Sequence, residues 1–174
     1  KSILKDFADS EDAWNSFYSL ADLYRTLGEF EKSQNTFDIG KQKFPYVPLL
    51  HCGAGTFYRE TGKMDQAIRS FSDSMKVAKP TVEGFIGLGD TYLELENFKQ
   101  ALGNYHSAKK ISAIDPIPYS RIAELERKTG NHNSALKIYK DMQQRFVFDF
   151  HGWYGEAEVL RETGKYASSI QTLD

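Results

Sequence analysis

Arg59-Glu60-Thr61-Gly62-Lys63 returns unchanged as Arg161-Glu162-Thr163-Gly164-Lys165, 102 residues further along the chain. That distance is three times 34, and the glycines keep the same beat: Gly28, Gly62, Gly130 and Gly164 are separated by one, two and one multiples of 34. At the skipped place stand Glu96 and Asn97. Self-similarity at a fixed period of this length is the signature of stacked structural repeats. Setting the register on the glycines gives repeats at 14–47, 48–81, 82–115, 116–149 and an incomplete 150–174. Residues 1–13 read as the end of a preceding helix, with Ile3 and Phe7 where a second helix would place apolar side chains.

Each repeat reads as two amphipathic helices joined at the glycine. Bulky apolar residues recur at three- and four-residue spacing in the first helix: Phe17, Leu20 and Tyr24, then Phe85, Leu88 and Tyr92, then Trp153 and Leu160. That is one face of a helix with 3.6 residues per turn. The second helix follows with Phe30 and Phe37, Met64 and Phe71, Phe98 and Tyr105, and Tyr139. Small residues hold two other registers. Ala21, Gly55, Gly89, Ala123 and Ala157 share one, and Ser33, Ala67, Ala101, Ala135 and Ser169 share the other. Helices approach to the close end of the usual ~8–10 Å only where side chains at the crossing are small. Large and small volumes therefore alternate as a code for antiparallel pairs. Pro45, Pro80 and Pro116 fall near repeat ends, where a proline stops a helix cheaply.

This pattern resembles the tetratricopeptide repeat (TPR) family over residues 14–174. The third repeat carries most of the family's motif: Phe85, Leu88-Gly89, Tyr92, Ala101, Tyr105 and Ala108. Departures are His51 for the first aromatic of the second repeat, Glu96 for a turn glycine, and Glu126 for a tyrosine and Met142 for a small residue in the fourth repeat, which is expected to pack less tightly without breaking the array. The resemblance implies an all-α fold, a right-handed superhelical array of antiparallel helix pairs with about five repeats. It also implies a protein–protein interaction scaffold that binds a partner polypeptide in the groove walled by the first helices. The alternatives are a sensory or substrate-recruiting arm of a larger enzyme or signalling NTPase, and a self-assembly module.

Composition narrows the field. The 40% apolar and 26% charged residues are those of an ordinary folded domain. No stretch approaches the ~20 apolar residues of a membrane span. With 22 basic against 24 acidic residues, the chain lacks the basic excess of a phosphate-neutralising surface, so no nucleic-acid partner is expected. One cysteine, Cys52, permits no internal disulfide and fits a reducing, cytoplasmic setting. Neither end looks capped by polar residues, which reads as a piece of a longer array able to self-associate through exposed end faces.

Catalytic chemistry finds no foothold in the sequence. Gly53-Ala54-Gly55 lacks the third glycine and the preceding strand of a dinucleotide loop. In a phosphate loop Gly62-Lys63 and Gly164-Lys165 would be followed by Ser or Thr, and Met64 and Tyr166 stand there instead. His51, Cys52, His106, His132 and His151 show no metal-ligand spacing. The expectation is therefore no enzyme activity within this stretch, no catalytic residue, no metal and no cofactor.

The candidate groove residues come from the outer register of the first helices: Tyr18, Asp22 and Arg25; Cys52, Thr56 and Arg59; Ile86 and Asp90; Arg121, Glu124 and Arg127; Tyr154, Glu158 and Arg161. Arginine recurs at one register as Arg25, Arg59, Arg127 and Arg161, with Asp22, Glu124 and Glu158 three residues before three of them. This row reads as a surface salt-bridge ladder between repeats or as forks that grip carboxylates, the ladder being favoured by the neighbouring acids. Gly53, Gly87 and Gly155 leave room for a peptide or fit helix curvature. The carboxylate clamp of some family members is not matched, since Tyr18, Cys52 and Asp22 stand where its Lys and Asn residues would be and only Arg121 is compatible. Most of Arg145-Phe146-Val147-Phe148-Asp149-Phe150, with Trp153 and Tyr154, is expected to lie in the junction between the last two repeats, and any part left exposed would form an apolar contact patch.

Overall fold

The computed structural model describes residues 13–77 and 79–174, so the reading of Ile3 and Phe7 lies outside the described residues. These residues form ten α-helices and no strand: α1 (Ala13–Thr26), α2 (Phe30–Lys43), α3 (Pro48–Glu60), α4 (Met64–Val77), α5 (Val82–Glu94), α6 (Phe98–Ile111), α7 (Pro116–Lys128), α8 (His132–Arg145), α9 (His151–Glu162) and α10 (Tyr166–Leu173). The chain is a helical repeat array. It divides into two compact halves, one ending at Glu96 and the other spanning Asn97–Asp174.

Local chemistry sets the helix ends. Pro48 and Pro116 open α3 and α7, where a missing N–H costs nothing and the fixed φ suits the first turn. Thr81 caps α5 by accepting from the Gly84 N–H at 3.1 Å, and Asp115 caps α7 by accepting from the Ile117 N–H at 2.9 Å. First helices end on a left-handed residue. Gly28, Gly62, Gly130 and Gly164 have φ of 74°, 74°, 81° and 76°. Around each glycine the chain folds back through paired bonds: the Lys63 N–H donates to the Tyr58 carbonyl at 2.8 Å and the Gly62 N–H to Arg59 at 3.0 Å. This double closure satisfies carbonyls that the helix leaves open. Glu96 keeps the turn without a glycine, at φ 56°.

The two small-residue registers meet. Ser33 Oγ donates to the Ala21 carbonyl at 2.8 Å, and Ser169 Oγ makes the same bond to Ala157 at 2.8 Å. A side-chain oxygen can reach the neighbouring backbone only where both helices carry small residues. Phe37, Phe57, Phe71 and Leu88 fill the core of the N-terminal half around Ala21, Ala54 and Ala67. Tyr119, Tyr139 and Val159 fill that of the C-terminal half. Met142 is fully buried there, so the larger side chain at this small-residue register is absorbed into the packing.

The aromatic segment departs from its expected burial. Phe146 packs edge-on against Tyr119, with centroids 5.2 Å apart, and Trp153 is half-buried. Val147, Phe148, Phe150 and Tyr154 are exposed. The cause is the turn after α8: the Asp149 N–H bonds back to the Phe146 carbonyl at 2.8 Å, which projects the intervening side chains outward.

A non-glycine residue in the left-handed region costs roughly 1–2 kcal/mol. Glu96→Gly is therefore expected to stabilise the chain by about 1 kcal/mol, and Gly62→Ala to destabilise it by about as much. Urea unfolding monitored by helical signal checks both signs.

Candidate functional site

First helices lie side by side, α1 beside α3 and α3 beside α5 in the N-terminal half, and α7 beside α9 in the C-terminal half. What brings them into line is an aromatic ring from the second helix of one repeat seated on a glycine of the next first helix. A Cβ added to Gly53 would fall 2.6 Å from Phe37 Cε1. At Gly87 it would meet Phe71 Cε1 at 2.1 Å, and at Gly155 Tyr139 Cε1 at 2.1 Å. No real Cβ tolerates such distances, so these glycines are occupied by neighbouring rings. They serve packing rather than leaving open room. The fourth repeat has Arg121 at this register.

Three members of the arginine row form inter-repeat rungs to acids that the sequence did not nominate, and two of the three nominated pairs form beside them. Arg25 Nη1 reaches Glu60 at 2.5 Å while Nη2 holds Asp22 at 2.8 Å. Arg59 reaches Glu94 at 2.6 Å, and Arg127 pairs with Glu162. Each rung joins a residue to one 35 positions later. Arg161 pairs with Glu158 at 2.8 Å, as its spacing implied. Glu124 instead turns to Arg121 at 3.4 Å and Lys128 at 3.6 Å. Sequence reasoning passed over Glu60, Glu94 and Glu162, although two of them lie inside the repeated Arg-Glu-Thr-Gly-Lys motif. These pairs are partly exposed, so each stabilises by about 0–1 kcal/mol.

In the N-terminal half the remaining candidates are dispersed. Tyr18 is half-buried, its ring edge-on to Phe37 at 6.2 Å, and burial followed by the Asp22 charge raises its phenol above the usual value. Cys52 is a correction: at 6% exposure it belongs to the core rather than to an open wall. Burial pushes its thiol up, opposed by hydrogen bonding with Ser74 and Thr81. Thr56, Ile86 and Asp90 are half-buried.

The C-terminal half gathers its candidates. Between α7 and α9 lies a cavity of about 400 Å³. One wall is Ser120, Arg121, Glu124 and Arg127 of α7, and the other is His151, Tyr154 and Glu158 of α9. Ile117 stands at the edge, and the Tyr139 ring, lying on Gly155, forms part of the lining. Tyr139 is buried, which raises its phenol, while Arg127 alongside works in the opposite direction. Phe150 stacks on His151 with centroids 4.2 Å apart, and His151 Nδ1 lies 2.9 Å from Asp149. Five predicted residues thus share one hollow: Arg121, Glu124, Arg127, Tyr154 and Glu158. Arg161 lies outside the lining. Tyr139 and His151 were missed as wall residues; the first was hidden by its core register, and the second was weighed only as a metal ligand although it shares a helix face with Tyr154 and Glu158.

One stretch of the chain matches the tetratricopeptide repeat, and the array shares its fold with solved tetratricopeptide-repeat proteins. A family profile described as Tetratricopeptide repeat matches residues 15–38. Anaphase-promoting complex subunit 6 of Dictyostelium discoideum is 22% identical over 125 residues, covering 72% of this chain and 14% of that protein. The chain thus spans about one seventh of that relative's length. Among solved structures, the APC/C hetero-tetramer Cut9–Hcn1 matches with a TM-score of 0.78 at 15% identity, over 98% of this chain and 34% of the other. YrrB, described as a TPR protein with an unusual peptide-binding site, matches with a TM-score of 0.66 at 16% identity, over 100% of this chain and 90% of the other. At these identities the structural likeness is one of fold. Among the described residues no helix is long and apolar enough to cross a membrane.

Seating a ring on glycine makes the site's floor intolerant of a methyl. Gly155→Ala is expected to destabilise by about 1–3 kcal/mol. Most of that loss should disappear in a Tyr139→Leu background, where the ring is gone; a double-mutant cycle by urea unfolding measures the coupling. Cys52 should react with a disulfide reagent more than about tenfold slower in the folded chain than in urea, because burial withholds the thiolate. Equal rates would return it to an open wall.

Proposed function

We propose that this array is a scaffold that binds another polypeptide, and that the hollow between α7 and α9 anchors an extended segment of it. The observation that carries the reading is the convergence of Arg121, Glu124, Tyr139, Tyr154 and Glu158 on one concave surface of about 400 Å³. Binding sites for compact ligand groups combine a concave surface with a few converging polar groups. Tyrosine and arginine are also the residues that dominate affinity at interfaces.

The chemistry favours a segment over a single charge. Cations and anions already answer one another along both walls, through Arg121–Glu124 and Arg161–Glu158. A lone carboxylate or ammonium would have to displace an existing partner. A peptide instead offers an apolar or aromatic side chain to Tyr139 and Tyr154, and main-chain groups to Ser120, Arg121 and Glu124. Arg127, tied to Glu162, holds the wall in shape. The described names of two neighbours, a hetero-tetramer and a protein with a peptide-binding site, support this class of role.

Displayed random peptides selected on the immobilised chain test the reading. Selected sequences should lose at least about tenfold in affinity on Tyr154→Ala and on Arg121→Glu. They should bind unchanged to Lys137→Ala, an exposed position on α8. Binders indifferent to both hollow substitutions would move the site elsewhere.

A further inference from the structure

The second helix of the third repeat breaks three local preferences on one face. α6 carries Lys99, Lys109 and Lys110 and no acid over its 14 residues. Lys99 sits in the first turn, where the positive end of the helix dipole disfavours a cation. The same register holds Glu31 on α2 and Asp65 on α4. At the other end, acids answer the lysines of α2 and α4: Asp38 lies 2.9 Å from Lys41, and Asp73 lies 3.0 Å from Lys76. On α6 the places of those acids are taken by His106 and Ser107. Lys109 settles over the Tyr119 ring, 4.2 Å from its centroid. Among the described residues, Lys99 and Lys110 enter no ion pair. The third break is Gly103, in mid-helix. Its backbone is not in the left-handed region, and a Cβ there would meet nothing within 4 Å. Alanine would fit and would strengthen the helix.

Lys99, Gly103, His106 and Lys110 are all exposed, and their four-, three- and four-residue spacing puts them on one face. Lys99 lies about 6 Å of helix rise before Gly103, and Lys110 about 10 Å after it. Local rules broken together on one surface are what a functional face shows.

We propose that this face of α6 docks an acidic helix of a partner protein, with a bulky apolar side chain seated on Gly103 and carboxylates on either side paired with Lys99 and Lys110. A position without a side chain lets a second helix approach closely. The chain already uses glycine in this way, where rings rest on Gly53, Gly87 and Gly155. The two unanswered ammonium groups set the sign of the partner's charge. Phosphate groups would satisfy the lysines equally well, but they have no use for the glycine. The face shares no residue with the α7–α9 hollow, so it stands apart from peptide capture.

A displayed library of helices about five turns long, randomised along one face, tests this. It is selected on the immobilised chain and screened against the Lys99→Glu, Lys110→Glu double variant. Helices that tell the two apart should carry a bulky apolar residue flanked by Asp or Glu. Their affinity should fall at least about tenfold on Lys99→Glu and on Gly103→Gln, and at least about threefold on Gly103→Ala. Thermal unfolding should move the other way. Lys99→Glu and Gly103→Ala should each raise the melting temperature, the first by suiting the dipole and the second by helix propensity. Lys137→Glu, at an exposed position on α8, should leave affinity within about twofold. The proposal is overturned if no helix distinguishes the chain from the double variant, or if Gly103→Ala leaves affinity unchanged. It falls equally if Lys137→Glu costs as much as Lys99→Glu, which would reduce the effect to bulk charge, or if stability drops along with binding, since the face would then serve the fold. Single-stranded RNA whose binding is lost on Lys99→Glu but kept on Gly103→Ala would assign the face to phosphate and overturn it too.

Discussion

An aromatic ring resting on bare backbone is the contact on which the array depends. Phe37 on Gly53, Phe71 on Gly87 and Tyr139 on Gly155 are one interaction repeated at the period of the sequence. A ring packs against a helix this closely only if the helix has no side chain there. Ring and glycine recur in phase, 16 residues apart, at three junctions, while at the fourth the buried Tyr105 stands 16 residues before Arg121. The Arg-to-Glu rungs lie alongside and contribute less, being partly solvated. The helix-ending glycines do a different job. They reverse the chain inside a repeat, so that each second helix returns to offer its ring.

The Arg-Glu-Thr-Gly-Lys motif combines several of these functions in five residues. Its arginine reaches forward to the next repeat's glutamate, or takes its own helix's acid at Arg161, and its glutamate accepts from the arginine of the repeat before, as Glu60 and Glu162 do. Its threonine hydroxyl donates to the last turn of the helix, as Thr61 does to Phe57 at 2.9 Å and Thr163 to Val159 at 2.9 Å. Its glycine takes the left-handed turn. A local string thus encodes a turn, a cap and a link to each neighbouring repeat, which is how a quasi-one-dimensional protein is specified.

The fold was legible because volume periodicity survives substitution. Glu96 in place of glycine did not hide the turn, and Met142 in place of a small residue did not hide the core. The candidate site was legible only in its second-half members. Arg121, Glu124, Arg127, Tyr154 and Glu158 converge because they project from two adjacent first helices. Cys52 was misplaced because it shares its register with Tyr154, which lines the hollow, while its own surroundings bury it. The true rungs, Glu60, Glu94 and Glu162, were missed because the search for acids stayed within one helix turn, whereas the partner lies one whole repeat away. Most of the aromatic segment was expected at the junction on composition; the turn closed by the Asp149 N–H decides the direction of Val147 and Phe148, and apolar composition carries no such information.

Tyr139 belongs to two structures at once. Its ring, seated on Gly155, joins α8 to α9, and it is part of the lining of the hollow. The ring cannot leave its glycine without opening that hollow, nor can α9 slide along α8 without reshaping it. Tension that separates α8 from α9 would therefore deform the hollow in the same motion.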